Sequence, residues 1–281
     1  MSGFAPTIRI PVDFSNPGQF FACCGLLELA DKPWPGAEGW FEDQHPQSSF
    51  QIAASPAANL RELLVNAACL QFDMGTDDGK GDKGDDGEDA KPLDPIIVKS
   101  PVTLVLDWWA DKSIKPWAGS MKERPILNAM LRAINPANPD PLNAAGVVFD
   151  PFPPSVPGRH GTKLKKREPF YFDCRRGCNS HPLDSGFSPD AHNMEADCFP
   201  AVEALCFIGL QRARPAPTDA PNRSRYTVWT RRLPVNVIAP VACGLVALQG
   251  SQAFAFNNFF RTDQRKHKSY SRASRERSKN A

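Results

Sequence analysis

Apolar and polar residues alternate along TIRIPVDF, residues 7 to 14, a period of two that predicts a half-buried first strand. Asn16, Pro17 and Gln19 then supply an N-cap, a first-turn proline and an N3 amide, so a helix is expected from Pro17 to about Leu29. Its buried stripe is Phe20, Cys24 and Leu27, widened by Phe21. A Pro/Gly/Trp loop and a short strand near Phe50 to Ala53 follow, and Ser55 and Pro56 repeat the cap chemistry before NLRELLVNAACL. There Leu60, Leu63, Leu64 and Ala67 mark the inward face of a second helix.

The pattern then breaks at GTDDGKGDKGDDGEDAK, whose one apolar residue is Ala90, too little burial to offset chain entropy. Strand-like runs resume at Ile96 to Val98 and at Val102 to Trp109, followed by a loop bearing Lys112, Lys115, Trp117, Lys122 and Arg124 and a helix from about Ile126 to Ile134. Residues 135 to 168 are rich in Pro, Asn and Gly and carry the basic cluster Arg159, His160, Lys163, Lys165, Lys166 and Arg167. PFYFD, residues 169 to 173, reads as a strand. It leads into DCRRGCNSHPLDSGFSPDAHNMEADCFP, a polar loop from Asp173 to Pro200. Pro200 starts a helix with Val202, Leu205 and Cys206 inward, and residues 224 to 248 read as two strands and a short apolar segment.

These elements predict an α+β fold of short mixed or antiparallel sheets with about five helices. The expected organisation is a strand-helix unit over 1–72, a disordered acidic insert over 73–92, a mixed domain over 93–260 and a basic, disordered tail over 261–281.

Charge adds one feature. The net charge of +2 conceals eight acidic residues against three lysines between Asp73 and Lys91, and eight basic against two acidic residues from Arg261 onward. A polyanionic partner near the C-terminus is therefore expected. No apolar run approaches 18 residues and MSGFAPTIRI has neither a basic nor an apolar leader region, so a cytoplasmic protein with reduced cysteines and no membrane partner is expected.

Three chemistries compete for the polar loop. Cys174, Cys178, His181, His192 and Cys198 could supply zinc ligands, but C-x3-C-x2-H followed by distant ligands matches no standard finger or ribbon. No cofactor is expected, with structural zinc the open alternative. His181, Asp184, Asp190, His192, Glu195 and Asp197 offer the side chains of a metal-dependent nuclease or hydrolase, yet without a recognised ligand spacing. Cys23 lies in an apolar helix and Ser120 lacks the GxSxG elbow, so neither reads as a nucleophile.

Nucleic-acid binding is the third. Arg can fork onto guanine and Asn onto adenine, while basic groups neutralise phosphates and aromatic faces stack bases. Arg175, Arg176, Asn179, Ser180 and His181 are the candidates for base edges or nearby phosphates. Lys112, Lys115, Trp117 and Lys122 are candidates for the DNA backbone, and Lys163, Lys165, Lys166 and Arg167 for electrostatic capture.

Five strings sharpen the expectation: NPGQFFACCGLLELAD, LDWWADKSIKPWAGSMKE, PFYFDCRRGCNSHPLDSGFSPDAHNMEA, FPAVEALCFIGLQRARP and YTVWTRRLPVNVIAPVA. In that order they resemble the Csb-type large subunit of type I-U, also called I-G, CRISPR-Cas systems, and the resemblance covers most of the chain outside the acidic insert and the tail. It implies a non-catalytic member of a Cascade surveillance complex, beside repeated RNA-binding backbone subunits and a fused RNA-processing subunit. Such a subunit recognises the protospacer-adjacent motif on duplex DNA and presents the displaced strand to a helicase-nuclease, with base pairing left to read the target. At 281 residues the chain is short for a large subunit, so a separate small subunit would supply any C-terminal helical bundle.

Overall fold

A computed structural model describes residues 5–44, 47–74, 93–117, 121–151, 166–175, 197–260 and 267–276. Its architecture is α+β, with antiparallel sheets wrapped around two buried helices.

Helix α1 (Pro17–Ala30) starts where the cap chemistry places it. The Asn16 side chain accepts the backbone N–H groups of Gly18 and Gln19, satisfying donors that the first turn leaves open. The expected one-sided stripe underestimates its burial, because all fourteen residues are buried. A helix apolar on every side must be enclosed. Helix α2 (Leu60–Ala68) is capped by Asn59, which accepts from Glu62 N, and not by Ser55 as the sequence suggests. Helix α3 (Glu123–Arg132) begins three residues earlier than expected, α4 (Pro200–Gly209) begins at its proline, and the segment Ile238–Ala242 forms the short helix α5.

Three sheets surround these helices. In the first, β1 (Ile8–Pro11), β3 (Gln47–Ala53), β2 (Glu38–Gln44) and β9 (Leu233–Pro234) lie in that order, all antiparallel. Because β9 comes from beyond residue 93, residues 1–72 do not complete this sheet alone. The second comprises β11 (Lys268–Tyr270), β10 (Gln252–Phe260), β8 (Arg223–Val228) and β7 (Ala216–Pro217), with β12 (Ser274–Arg275) also paired to β10. A third, smaller sheet joins β4 (Gln71–Phe72), β5 (Ile96–Ser100) and β6 (Leu104–Leu106). The run expected to continue as a strand to Trp109 instead turns into a 3-10 helix at Trp108–Ala110, where Gln211 Oε1 accepts the N–H groups of Asp107 and Trp108.

The core sits where α1 crosses α4. A Cβ on Gly25 would lie 2.0 Å from Leu205 O, and one on Gly209 would lie 2.0 Å from Phe21 O, so the two glycines set the closeness of the crossing. Phe20 stacks on Tyr226 of β8 with ring centroids 4.4 Å apart. On the other side Trp108 donates to Phe207 O at 2.8 Å and packs with Trp117, Phe172 and Phe207.

Two further sequence expectations are corrected. PFYFD is not a strand: Tyr171 takes a left-handed φ of 72°, which breaks the extended repeat. The tail is not uniformly unstructured either, since β11 and β12 pair with β10 and Tyr270 is fully buried. Its lack of apolar periodicity hides a segment fixed by backbone pairing and one aromatic anchor. Most of the acidic insert, residues 75–92, lies outside the described residues. No helix among the described residues is long and apolar enough to cross a membrane.

Candidate nucleic-acid interface

The polar loop has a fastened stem. Phe170 and Phe172 are fully buried, and the strained Tyr171 between them is held by its hydroxyl, 2.6 Å from Glu168 Oε2, and by Tyr270 N donating to its carbonyl. A left-handed non-glycine residue costs about 1–3 kcal/mol and persists only where its surroundings enforce it. Enforcement continues in the next two residues, because Glu203 of α4 accepts Phe172 N at 3.2 Å and Asp173 N at 3.0 Å.

Asn16 joins this stem to α1. Its Oδ1 caps the helix and also accepts Cys174 N, while its Nδ2 donates to Asp173 Oδ1 at 3.0 Å. A Cβ on Gly18 would meet Phe172 O at 2.5 Å, so only glycine lets the stem backbone lie this close. Asp173, Glu203 and Asn16 are all fully buried. Burial drives the Glu203 carboxyl up to about 7, the neighbouring Asp173 charge adding to the effect and the backbone N–H donors opposing it.

Arg175 answers the buried Asp173 charge. Its Nε and Nη2 bind the Asp173 carboxylate, its Nη2 also donates to Leu142 O at 2.8 Å, and its Nη1 donates to Asn143 Oδ1 at 2.7 Å. The guanidinium carbon lies 3.4 Å from the centre of the Phe199 ring. With both amino groups engaged and one face covered, Arg175 cannot fork onto a guanine unless it lets go of the stem. In this arrangement it is a clamp, and the expectation of a base-reading role for it is corrected. Arg176, Asn179, Ser180 and His181 lie outside the described residues.

The second-tier groups separate into two kinds. Trp117 is buried among Trp108, Phe170 and Phe207, so it cannot offer its face to a base, which corrects its assignment to the DNA surface. Lys115 lies over the Trp117 ring at 4.9 Å, whereas Lys112 and Lys122 are exposed. Arg167 donates through Nε and Nη2 to the Asp150 carboxylate at 2.6 and 2.8 Å, and Lys166 pairs with Glu168 at 3.5 Å. Both therefore act within the fold more than as free cations. Lys163 and Lys165 lie outside the described residues.

Beside the stem opens a groove of about 550 Å³ whose lining includes Asp13, Ser15, Asn143, Arg175, Gln252 and Arg275. Arg272 of the tail binds Asp13 and, at 2.8 Å, Ser15 Oγ, so a C-terminal residue shapes the same neighbourhood. The lining is polar and of mixed charge, suited to hydrogen bonding. The buried Cys174 of the stem is a poor nucleophile or ligand, since burial and the Asp173 charge push its thiol up to about 12. Cys198 instead rests 4.0 Å from Met130 Sδ. Among the described residues no three His, Cys, Asp or Glu side chains gather to hold a metal, and Cys178, His181, Asp184, Asp190, His192 and Glu195 lie outside them.

Asn143, Glu203 and Arg272 complete the stem and were not among the sequence candidates. Only Glu203 carried a signal, as the lone carboxylate in the apolar run PAVEALCFIG. No family model, curated protein or solved structure matches this chain.

Proposed function

We infer that this chain is a non-catalytic subunit of a type I CRISPR RNA-guided surveillance complex of the I-U (I-G) kind, contacting target duplex DNA at its protospacer-adjacent motif. One observation supports the reading above the others: the polar loop leaves the core through a stem fixed on both sides by Asn16 and Glu203 and clamped by Arg175. A binding loop needs such a rigid base, because ordering it at the moment of binding would cost affinity. The strings that carry the family resemblance are the ones that meet there. NPGQFF caps α1 against PFYFDC, LDWW docks on FPAVEALCF, and YTVW packs under α1.

In this reading Asn179, Ser180, His181 and Arg176 contact the motif, Lys112 and Lys122 contact the DNA backbone, and the partners are the backbone and RNA-processing subunits and a helicase-nuclease. The test is a guide complex assembled with and without this subunit and titrated with motif-bearing duplex DNA. Loss of binding on omission is expected; unchanged binding sinks the reading. Metal-dependent cleavage by the purified chain, abolished by His181→Ala, would replace it with a nuclease.

A further inference from the structure

The second sheet has an outward face that the groove and the loop stem do not use. Tyr226 and Phe256 point inward to Phe21 of α1, and Phe254 stacks on Tyr226 on the same face. The alternate residues therefore point away: Arg223 and Arg225 on β8, with Asn257 paired across from Arg223 and Ala255 across from Arg225. Phe259, two residues beyond Asn257, shares this face opposite Ser269 of β11. Arg225 and Asn257 are exposed, Arg223 and Phe259 are half-buried, and the short Ala255 and Ser269 between them are buried.

Three properties coincide here. Arg223 and Arg225 form no ion pair among the described residues, unlike Arg124, Arg167, Arg175, Arg212 and Arg272. Nor do the outward positions of β8 and β10 include a carboxylate; the nearest in sequence are Asp219 in the β7–β8 turn and Asp263, which follows β10 and lies outside the described residues. Finally, side chains two apart on a strand are separated by about 7 Å, so β8 sets out two free cations in a row beside an aromatic ring and an amide.

We propose that this face binds single-stranded RNA. Duplex bases are already stacked, and a sheet face this broad does not enter a groove as a helix or ribbon does. An unpaired strand can lay its phosphates along Arg223 and Arg225 and stack a base on Phe259. The exposed Asn257 amide both donates and accepts, which matches the 2′-hydroxyl that distinguishes RNA from DNA. The proposal rests on the reading of the chain as a member of an RNA-guided complex, but it assigns a surface apart from the duplex-contacting loop.

The experiment uses the full chain with fluorescent 12-nucleotide RNA, DNA of the same sequence, and the corresponding duplex, read by anisotropy across a salt series. Native protein is expected to prefer the RNA strand. R223A/R225A should weaken it roughly tenfold or more and lower the salt slope by about 1.4, two single-strand phosphate contacts. F259L should weaken binding with the slope unchanged, and both variants should keep the native melting temperature. Absence of RNA binding, RNA binding indifferent to R223A/R225A, or equal binding of the DNA strand overturns the proposal. Failure of the broader reading shows elsewhere: guide complexes carrying R223A/R225A should still capture motif-bearing duplex, and a complex that captures duplex without any copy of this subunit sinks the functional reading itself.

Discussion

Glu203 is the residue whose chemistry is most displaced by the fold. Its carboxyl titrates near 7 in the folded chain against an ordinary 4.5, chiefly because burial penalises the charge. The folded state therefore holds this proton more tightly than the unfolded state. The resulting stability is fully present below about pH 4.5 and is lost as pH rises through 7, a change on the order of 3 kcal/mol. Glu203→Gln removes the titration while keeping the shape, at the cost of setting an amide N–H₂ against a backbone N–H. The expected outcome is that urea midpoints of the native chain fall between pH 5 and 8 more steeply than those of the variant; parallel curves would reject a buried, proton-holding carboxyl. Arg175 makes the complementary case. With Asp173 wholly buried, Arg175→Ala strands a carboxylate and should cost about 2–4 kcal/mol after allowing for the partial exposure of the arginine. Arg175→Lys should recover little, since one ammonium cannot reproduce bonds to Asp173, Asn143 and Leu142 O. Equilibrium unfolding distinguishes this clamp from a purely DNA-contacting arginine, whose removal would leave the midpoint unchanged.

At the scale of elements, the crossing of α1 and α4 governs everything attached to it. Gly25→Ala or Gly209→Ala places a methyl group 2.0 Å from a carbonyl oxygen of the facing helix, and backbone cannot yield as a flexible side chain can. Each substitution should destabilise by about 3 kcal/mol or more, although alanine is the better helix former, and circular dichroism melts would show it. A neutral or stabilising effect would mean that the helices are not this close. The same contrast explains which elements were legible. Local signals written within a few residues, such as Asn16-Pro17-Gln19 and Pro200, placed α1 and α4 correctly. The β2–β3 hairpin was half hidden because Gly39, which reads as a loop residue, is needed where a Cβ would meet Phe50 and Leu27. PFYFD has strand composition, yet its conformation is dictated by Glu203 thirty residues away. β10, whose AFAF alternation is plain, lay outside the expected elements. In the candidate site, the identity of polar residues was visible but their partners were not. Nothing local in the sequence reveals that Arg175 is committed to Asp173 and Asn143, or that Trp117 faces inward.

The whole molecule is closed by the segment whose composition most suggested disorder. Within residues 267–276, Lys268 N donates to Pro116 O at 2.8 Å, Tyr270 N to Tyr171 O at 3.2 Å and Ala273 N to Ser15 O at 2.7 Å. Three distant parts of the chain are thus tied by one short stretch. The Tyr270 ring packs on Phe256 and Phe172 with centroids 4.7 and 5.4 Å away, and its hydroxyl donates to Ile114 O at 2.7 Å. A disordered basic tail could be removed at no cost to the fold, with only polyanion binding lost. A strand of the second sheet cannot, because its loss exposes Phe256, unpairs one side of β10 and frees the Tyr171 carbonyl at the loop stem. Tyr270→Phe, which sacrifices only the buried hydroxyl bond, should cost about 1–2 kcal/mol. Tyr270→Ala should cost about 3–5 kcal/mol, in the range of other large-to-small changes in cores. Deletion of residues 267–281 should exceed the stability of an ordinary domain's margin and leave a chain without a cooperative melt. These three variants form a graded series in one measurement, thermal unfolding followed in the near ultraviolet. A deletion variant melting at the native temperature would return the tail to the solvent and separate the C-terminal charge from the architecture.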